Sequence, residues 1–142
     1  MQNITFKTVS SQYLPEIIPL MQKFTNNKFS DAVLTQRFSE MFSQNYECVG
    51  VFDAESLIGI CGLWFSTRHY IGKSVEVDHV YIDDLYRNKG LGKQLFNWIY
   101  AYAKAKGCEG AELNTYVQNY ASHKFYYNEG FEILGYHFLK KI

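Results

Sequence analysis

The spacing of apolar and polar positions changes several times along the chain, and each change marks an element. Ile4–Val9 alternates apolar with polar residues, the period of a strand with one buried face. From Leu14 the period lengthens, and Leu14, Ile17, Ile18, Met21 and Phe24 recur at helical spacing. Ser10 or Ser11 can cap this helix, with Glu16 in its first turn. Pro15 suits a helix start, whereas Pro19 falls mid-helix, where its missing N–H predicts a kink or an interruption. Asn26-Asn27-Lys28 breaks the pattern, and Ser30 or Asp31 opens a second helix bearing Leu34, Phe38, Met41 and Phe42.

Two runs, Glu47–Phe52 and Leu57–Ser66, flank Asp53-Ala54-Glu55-Ser56 as a hairpin, and Gly72-Lys73 turns the chain into a strand over Ser74–Asp83. Leu91, Leu95, Trp98, Ile99, Tyr102 and Ala103 form the apolar face of a third helix, which Gly107 terminates. The pattern then predicts a strand over Ala111–Val117, a helix over Asn119–Asn128 and a last strand over Phe131–Leu139. The order is β-α-α-β-β-β-α-β-α-β. No composition shift, repeat or linker divides it, so residues 1–142 read as one α/β domain built on a mixed sheet.

Composition narrows the class. Apolar content of 47% and charged content of 20% suit a globular chain, and 14 basic residues balance 14 acidic ones. No global field recruits nucleic acid or an anionic membrane, so any anion must be bound locally. There is no signal-peptide pattern at the start and no apolar stretch of membrane-spanning length. Cys48, Cys61 and Cys108 are odd in number and form no CxxC pair, which favours buried thiols in a reducing cytoplasm over a disulfide framework or zinc site. Aromatic residues reach 18%, and Tyr136 and Phe138 suit a homodimer interface as well as a large core would.

One junction stands out chemically. The strand ending at Ile82 leads through Arg87-Asn88-Lys89-Gly90-Leu91-Gly92 into the third helix. Glycines let backbone N–H groups approach an anion closely, and the helix N-terminus adds unsatisfied N–H groups and a favourable dipole. Arg87, Lys89 and Lys93 contribute cationic side chains. No Gly-Lys-Ser/Thr follows, which disfavours a nucleotide P-loop, and no dinucleotide fingerprint follows the first strand.

The run from Arg87 to Gly92 is similar to the Gln/Arg-x-x-Gly-x-Gly/Ala signature of the GNAT superfamily of acyl-CoA N-acyltransferases. The segment Asn119–Phe131, with Phe125-Tyr126 and Gly130-Phe131, resembles that family's second signature. The resemblance covers about residues 46–140. It implies a sheet whose fourth and fifth strands splay apart to admit the pantetheine arm of acetyl-CoA. Backbone groups of Val80, Tyr81 and Ile82 would then pair with that arm. Amides from Asn88 through Lys89, Gly90, Leu91 and Gly92 to Lys93, beside Arg87, would hold the pyrophosphate. Asn119 would contact the pantetheine and Tyr126 would sit beside the thioester sulfur. No metal is implied.

Acetyl transfer to an amine needs a base, an oxyanion donor and a proton for the departing thiolate. Asp78 lies nine residues before Arg87, where many family members carry a glutamate base, and Glu76 is the second candidate. Strict period-2 alternation puts Glu76, Asp78, Val80 and Ile82 on one strand face and His79 on the other, unless a bulge intervenes. Aspartate is one methylene shorter than glutamate, which favours a water-mediated route. Tyr126 is the natural general acid, because a phenol stays protonated near neutral pH. The resemblance implies an acceptor side shaped by the loops Phe24–Asp31 and Thr67–Lys73, open to a small-molecule or a protein amine. The competing expectation is a non-catalytic module that binds acyl-CoA without turning it over.

Overall fold

A computed structural model describes residues 2–142. The elements in chain order are β1 (Ile4–Val9), α1 (Leu14–Thr25), α2 (Asp31–Phe42), β2 (Tyr46–Asp53), β3 (Ser56–Arg68), β4 (Gly72–Ile82), α3 (Leu91–Ala105), β5 (Gly110–Leu113) and α4 (Tyr120–Asn128). Short 3-10 turns at Ser11–Tyr13 and Asp84–Tyr86 precede α1 and follow β4. The five strands lie in sequence order, antiparallel from β1 to β4 and parallel between β4 and β5. No helix among the described residues is long and apolar enough to cross a membrane.

The sheet is covered on both faces. On one, α1 and α2 bury Ile17, Ile18, Leu20, Met21, Leu34 and Phe38 against Tyr46, Cys48, Ile60 and Tyr81. On the other, Leu91, Leu95, Phe96, Ile99 and Ala103 of α3 pack on Val49, Val51, Cys61, Leu63, Val75 and Val77. That two-sided cover explains why β2 and β3 read as nearly continuous apolar runs. The caps follow the sequence: the Ser30 hydroxyl accepts from the Val33 N–H at 3.1 Å to start α2, and Ser10 does so for the turn before α1.

Three expectations need correction. Helix α1 runs through Pro19 without interruption, because Pro19 is exposed and the Pro15 carbonyl it leaves unpaired can be served by water. Strand β5 stops at Leu113 instead of continuing to Val117. The last strand, expected over Phe131–Leu139, does not form: the chain beyond Gly130 has no regular pairing, and every residue from Glu132 to Ile142 is exposed. A strand needs a neighbour to take its backbone groups, and none reaches this segment within one chain.

Candidate functional site

The site begins at an irregularity in β4. Ile60 of β3 pairs with Tyr81 and Gly62 pairs with Asp78, so β4 places two residues, His79 and Val80, opposite the single Cys61. This extra residue is a β-bulge, and it changes which side chains share a face. Before it, Val75 and Val77 join the α3 core, while Glu76 and Asp78 take the opposite face. After it, Val80 and Ile82 pack toward α3, and Tyr81 joins the α1/α2 core. The regular alternation expected from Glu76 to Ile82 therefore holds only as far as Asp78.

His79, expected on the face opposite Asp78, lies with it on the α1/α2 face. Its Nε2 is 2.6 Å from the Tyr46 hydroxyl, and its ring packs edge-on against Phe38 at 5.4 Å. The backbone there is left-handed, with φ +26°, a costly conformation for a residue bearing a Cβ. Gly62 makes the arrangement possible: a Cβ on it would lie 2.3 Å from His79 Nε2 and 2.8 Å from Tyr46 Cε1. His79 Nδ1 is shielded from solvent without a partner. Burial holds this imidazole below its ordinary pKa despite the opposing pull of Asp78.

Both oxygens of Asp78 are engaged. Oδ1 accepts from the His79 N–H at 2.8 Å and Oδ2 from Trp64 Nε1–H at 3.1 Å, yet the residue is exposed. Glu76 Oε2 accepts from Asn114 Nδ2 at 3.4 Å, and the Arg68 guanidinium is 3.9 Å from Oε1. Glu76, Arg68 and Trp64 line a cavity of about 600 Å³ together with Gln44, Asn45, Phe65 and Ser66. A second cavity of about 510 Å³ lies between the end of α1 and the end of β4, lined by Gln22, Lys23, Asn26, Asn27, Tyr81, Asp84 and Arg87.

β4 and β5 pair only over Ser74–Val77 with Gly110–Leu113. Val80, Tyr81 and Ile82 have β3 on one side and no strand on the other. Their open edge leads to the glycine turn. Asn88 (φ +60°) and Gly90 (φ +76°) are both left-handed, and Gly90 caps α3 with no side chain on the helix's first amides. Nothing lies within 4 Å of the place a Gly90 Cβ would occupy, so the approach to these N–H groups is open. Gly92 faces the Phe125 ring. The donor set, an uncapped helix N-terminus beside Lys89, suits a diphosphate.

The three cations there differ in commitment. Arg87 is tied back to Asp84 at 2.9 Å and to the Ile82 carbonyl at 3.3 Å, with its guanidinium over the Tyr81 ring. Lys93 donates at 2.6 Å to Glu129, just beyond the end of α4. Lys89 rests over the Tyr86 ring and has no carboxylate partner among the described residues.

Helix α4 carries the remaining candidates. Asn119 is its exposed N-cap residue and makes no side-chain capping bond. Tyr126 is half-buried, packed on Phe96 and Phe131, and burial with nearby Cys61 pushes its phenol above the ordinary range. Glu129 is held below the usual carboxylate range: its burial opposes ionisation, but donors from Lys93 and Tyr100 prevail. Trp64, Tyr46 and Gly62 were not among the sequence-based candidates. The signal available for them was Gly62 itself, a glycine inside a strand, which marks a bulge or a close approach.

Comparison with known proteins gives a consistent result. The model of the acetyltransferase (GNAT) family matches residues 14–131. A search of curated proteins returned no match. Among solved structures, the aminoglycoside N-acetyltransferase AAC(6')-Iy, in complex with CoA, superposes with a TM-score of 0.85 at 15% identity, covering 100% of this chain and 96% of its own. A ribosomal-protein-alanine N-acetyltransferase from Brucella melitensis biovar Abortus 2308 gives 0.82 at 17% identity, covering 99% of each chain. A transcriptional regulator from Bacillus halodurans C-125 gives 0.80 at 22% identity, covering 96% of this chain and 100% of its own. At these identities the structures establish a shared fold.

Proposed function

Because this chain belongs to the GNAT family of acetyltransferases, we propose that it transfers an acetyl group from acetyl-CoA to a primary amine of a small molecule or protein. The observation that carries this reading is the open edge of β4 at Val80–Ile82, which runs into the uncapped N-terminus of α3. An extended, amide-bearing thioester ending in a diphosphate matches that geometry along its length. Asn88 to Lys93 bind the diphosphate through backbone N–H groups, and Lys89 supplies the uncommitted cation. The β4 edge orients the arm, with Asn119 at the start of α4 as a further contact.

Asp78 is the base. Its carboxylate keeps two N–H donors and still has lone pairs free, so it can take the ammonium proton directly or through one water. Glu76 attracts the cationic acceptor into the cavity it lines beside Trp64. The neutral amine adds to the acetyl carbon, its nitrogen gives up its second proton to water, and the carbon–sulfur bond breaks to leave the amide and the thiolate; the proton that Tyr126 then spends is restored from water. Tyr126, whose phenol stays protonated well above neutral pH, gives its proton to the departing thiolate. Asp78 and Tyr126 lie in separate elements, β4 and α4, so the base and the acid are distinct groups.

The test is thiol release from acetyl-CoA across a panel of amines. Tyr126→Phe and Asp78→Asn are each expected to lower kcat by roughly 10²–10⁴-fold, the contribution of a positioned acid or base, with CoA affinity retained. Tight CoA binding with no turnover on any amine would instead identify a non-catalytic acyl-CoA-binding module.

A further inference from the structure

Helix α2 ends at Phe42, and past its end the sheet face opens into the cavity that Gln44 and Asn45 line with Trp64, Ser66, Arg68 and Glu76. The register of β3 on β4 decides what this face presents. Gly62 lies opposite Asp78, Trp64 opposite Glu76, Ser66 opposite Ser74 and Arg68 opposite Gly72. Directly paired residues project to the same side of a sheet, and every second residue along a strand shares it. Trp64 packs against the α1/α2 core, which fixes the side. From the bulge outward this face therefore carries Asp78, then Glu76, then Ser74 with Ser66, then Arg68. Carboxylates stand at one end and a guanidinium at the other.

The two opposite charges are not spent on each other. Arg68 Nη2 is 3.9 Å from Glu76 Oε1, too far for a hydrogen bond, and the two side chains are 48% and 31% exposed. A pair this loose and this wet is weak, so a ligand can part it at little cost. Glu112, opposite Glu76 across the β4–β5 pairing, is turned elsewhere: its carboxylate accepts from the Tyr70 hydroxyl and, at 2.8 Å, from the Ser74 hydroxyl. Among the described residues the charged groups lining the cavity are thus Glu76 and Arg68. That set takes one ammonium and one anion, and Arg68 repels a second ammonium.

We propose that the acceptor is a small amine that also carries an anionic group, a carboxylate or a phosphate, and that Arg68 selects it. The inference rests on the acetyl-transfer reading for its amine end, where Asp78 takes the proton, and on Arg68 for the other end. Two residues along a strand span about 7 Å, so an ammonium at Asp78 and an anion at Arg68, beside Glu76, are a short carbon chain apart. The guanidinium offers its donors as a planar fork, which fits either anion through two hydrogen bonds. Trp64 and Phe65 supply apolar wall for the chain between, and a volume of about 600 Å³ suits a small ligand.

The test compares four acceptors of one chain length: an ω-amino acid, its carboxamide, the aminoalkyl phosphate and the diamine. The native protein is expected to favour the carboxylate or the phosphate over the carboxamide by about tenfold or more in kcat/KM, mainly through KM, the size of one charge-assisted contact. The faster of the two anions identifies the source of the charge. Arg68→Met should bring that preference below about threefold and Arg68→Lys should restore part of it. Arg68→Glu should make the diamine the best of the four, a gain that a misfolded variant cannot show. Calorimetric titration of the same compounds into the CoA-loaded protein reads the preference without turnover. If no acceptor releases thiol, the transfer reading fails and calorimetry alone decides the inference. Turnover or binding that treats the carboxylate, the phosphate and the carboxamide alike, or a preference that Arg68→Met leaves intact, overturns the inference, whether or not acetyl transfer occurs.

Discussion

The chain divides at Ala103 into two regions packed by different rules. Among the described residues every core residue lies between Val9 and Ala103, on a sheet sandwiched by α1 and α2 on one side and α3 on the other. From Lys104 to Ile142 no residue is fully buried. Yet the glycine turn belongs to the first region, and Tyr126 and Asn119 belong to the second. The proposed site therefore draws on the buried core and on a region without fully buried residues. β5 ties this second region into the sheet along Ser74–Val77, while α4 is held by the Phe96 ring, which touches Phe125, Tyr126 and Phe131, and by Glu129, which receives Lys93 and Tyr100.

Phe96→Ala attacks the contrast where the two regions meet. It should cost about 3–5 kcal/mol, as large-to-small changes of buried aromatics do. Denaturant unfolding followed by Tyr and Trp fluorescence would measure the cost. A loss below 1 kcal/mol would show that α4 is held by something other than this ring. Gly62→Ala tests the body's own irregularity. Its new Cβ clashes with His79 and Tyr46, and overpacking of this kind costs about 1–3 kcal/mol; the urea midpoint reports it.

The pH dependence follows from His79. The folded protein keeps this imidazole neutral to lower pH than the unfolded chain, whose histidine titrates near 6.5. Below about 6.5 the unfolded state binds the additional proton, so stability falls with pH by up to about 1.4 kcal/mol per unit until the folded-state pKa is reached. His79→Gln should remove that slope between pH 6.5 and 5, a range above the titration of ordinary carboxylates. An unchanged slope would assign it elsewhere.

The smallest effects separate the two lysines. Lys93→Met leaves Glu129 short of a donor and should destabilise the protein by roughly 1–2 kcal/mol. Lys89→Met should leave stability unchanged and raise KM for acetyl-CoA a few-fold. Equal kinetic effects from both would mean that the ion pair to Glu129 opens when the donor binds.

Much of this was legible before any coordinates. Helices announce themselves through their own periodicity, as Leu91, Leu95 and Ile99 do, and caps such as Ser30 need only local chemistry. The glycine turn was readable because an anion cradle at a helix start is also local. The bulge was not, because it arises from one strand fitting another: His79 is displaced by its neighbours on β3, with only Gly62 as a sequence trace. The hydrogen bond from Trp64 to Asp78 is likewise set by cross-strand register, which alternation alone does not reveal. The residue types from Phe131 onward spell a strand, but a strand is completed only by whatever lies beside it.

Cys61, opposite the bulge, has a further consequence for a site that handles thioesters. It is fully buried, and burial first, then Cys48 and Asp78, raises its pKa well above the ordinary thiol range, while Cys48 is pushed up to about 12. The thiolate, not the thiol, is the nucleophile in transthioesterification. At neutral pH both cysteines are therefore held as thiols, and neither supplies a thiolate on which an acyl group could be stranded.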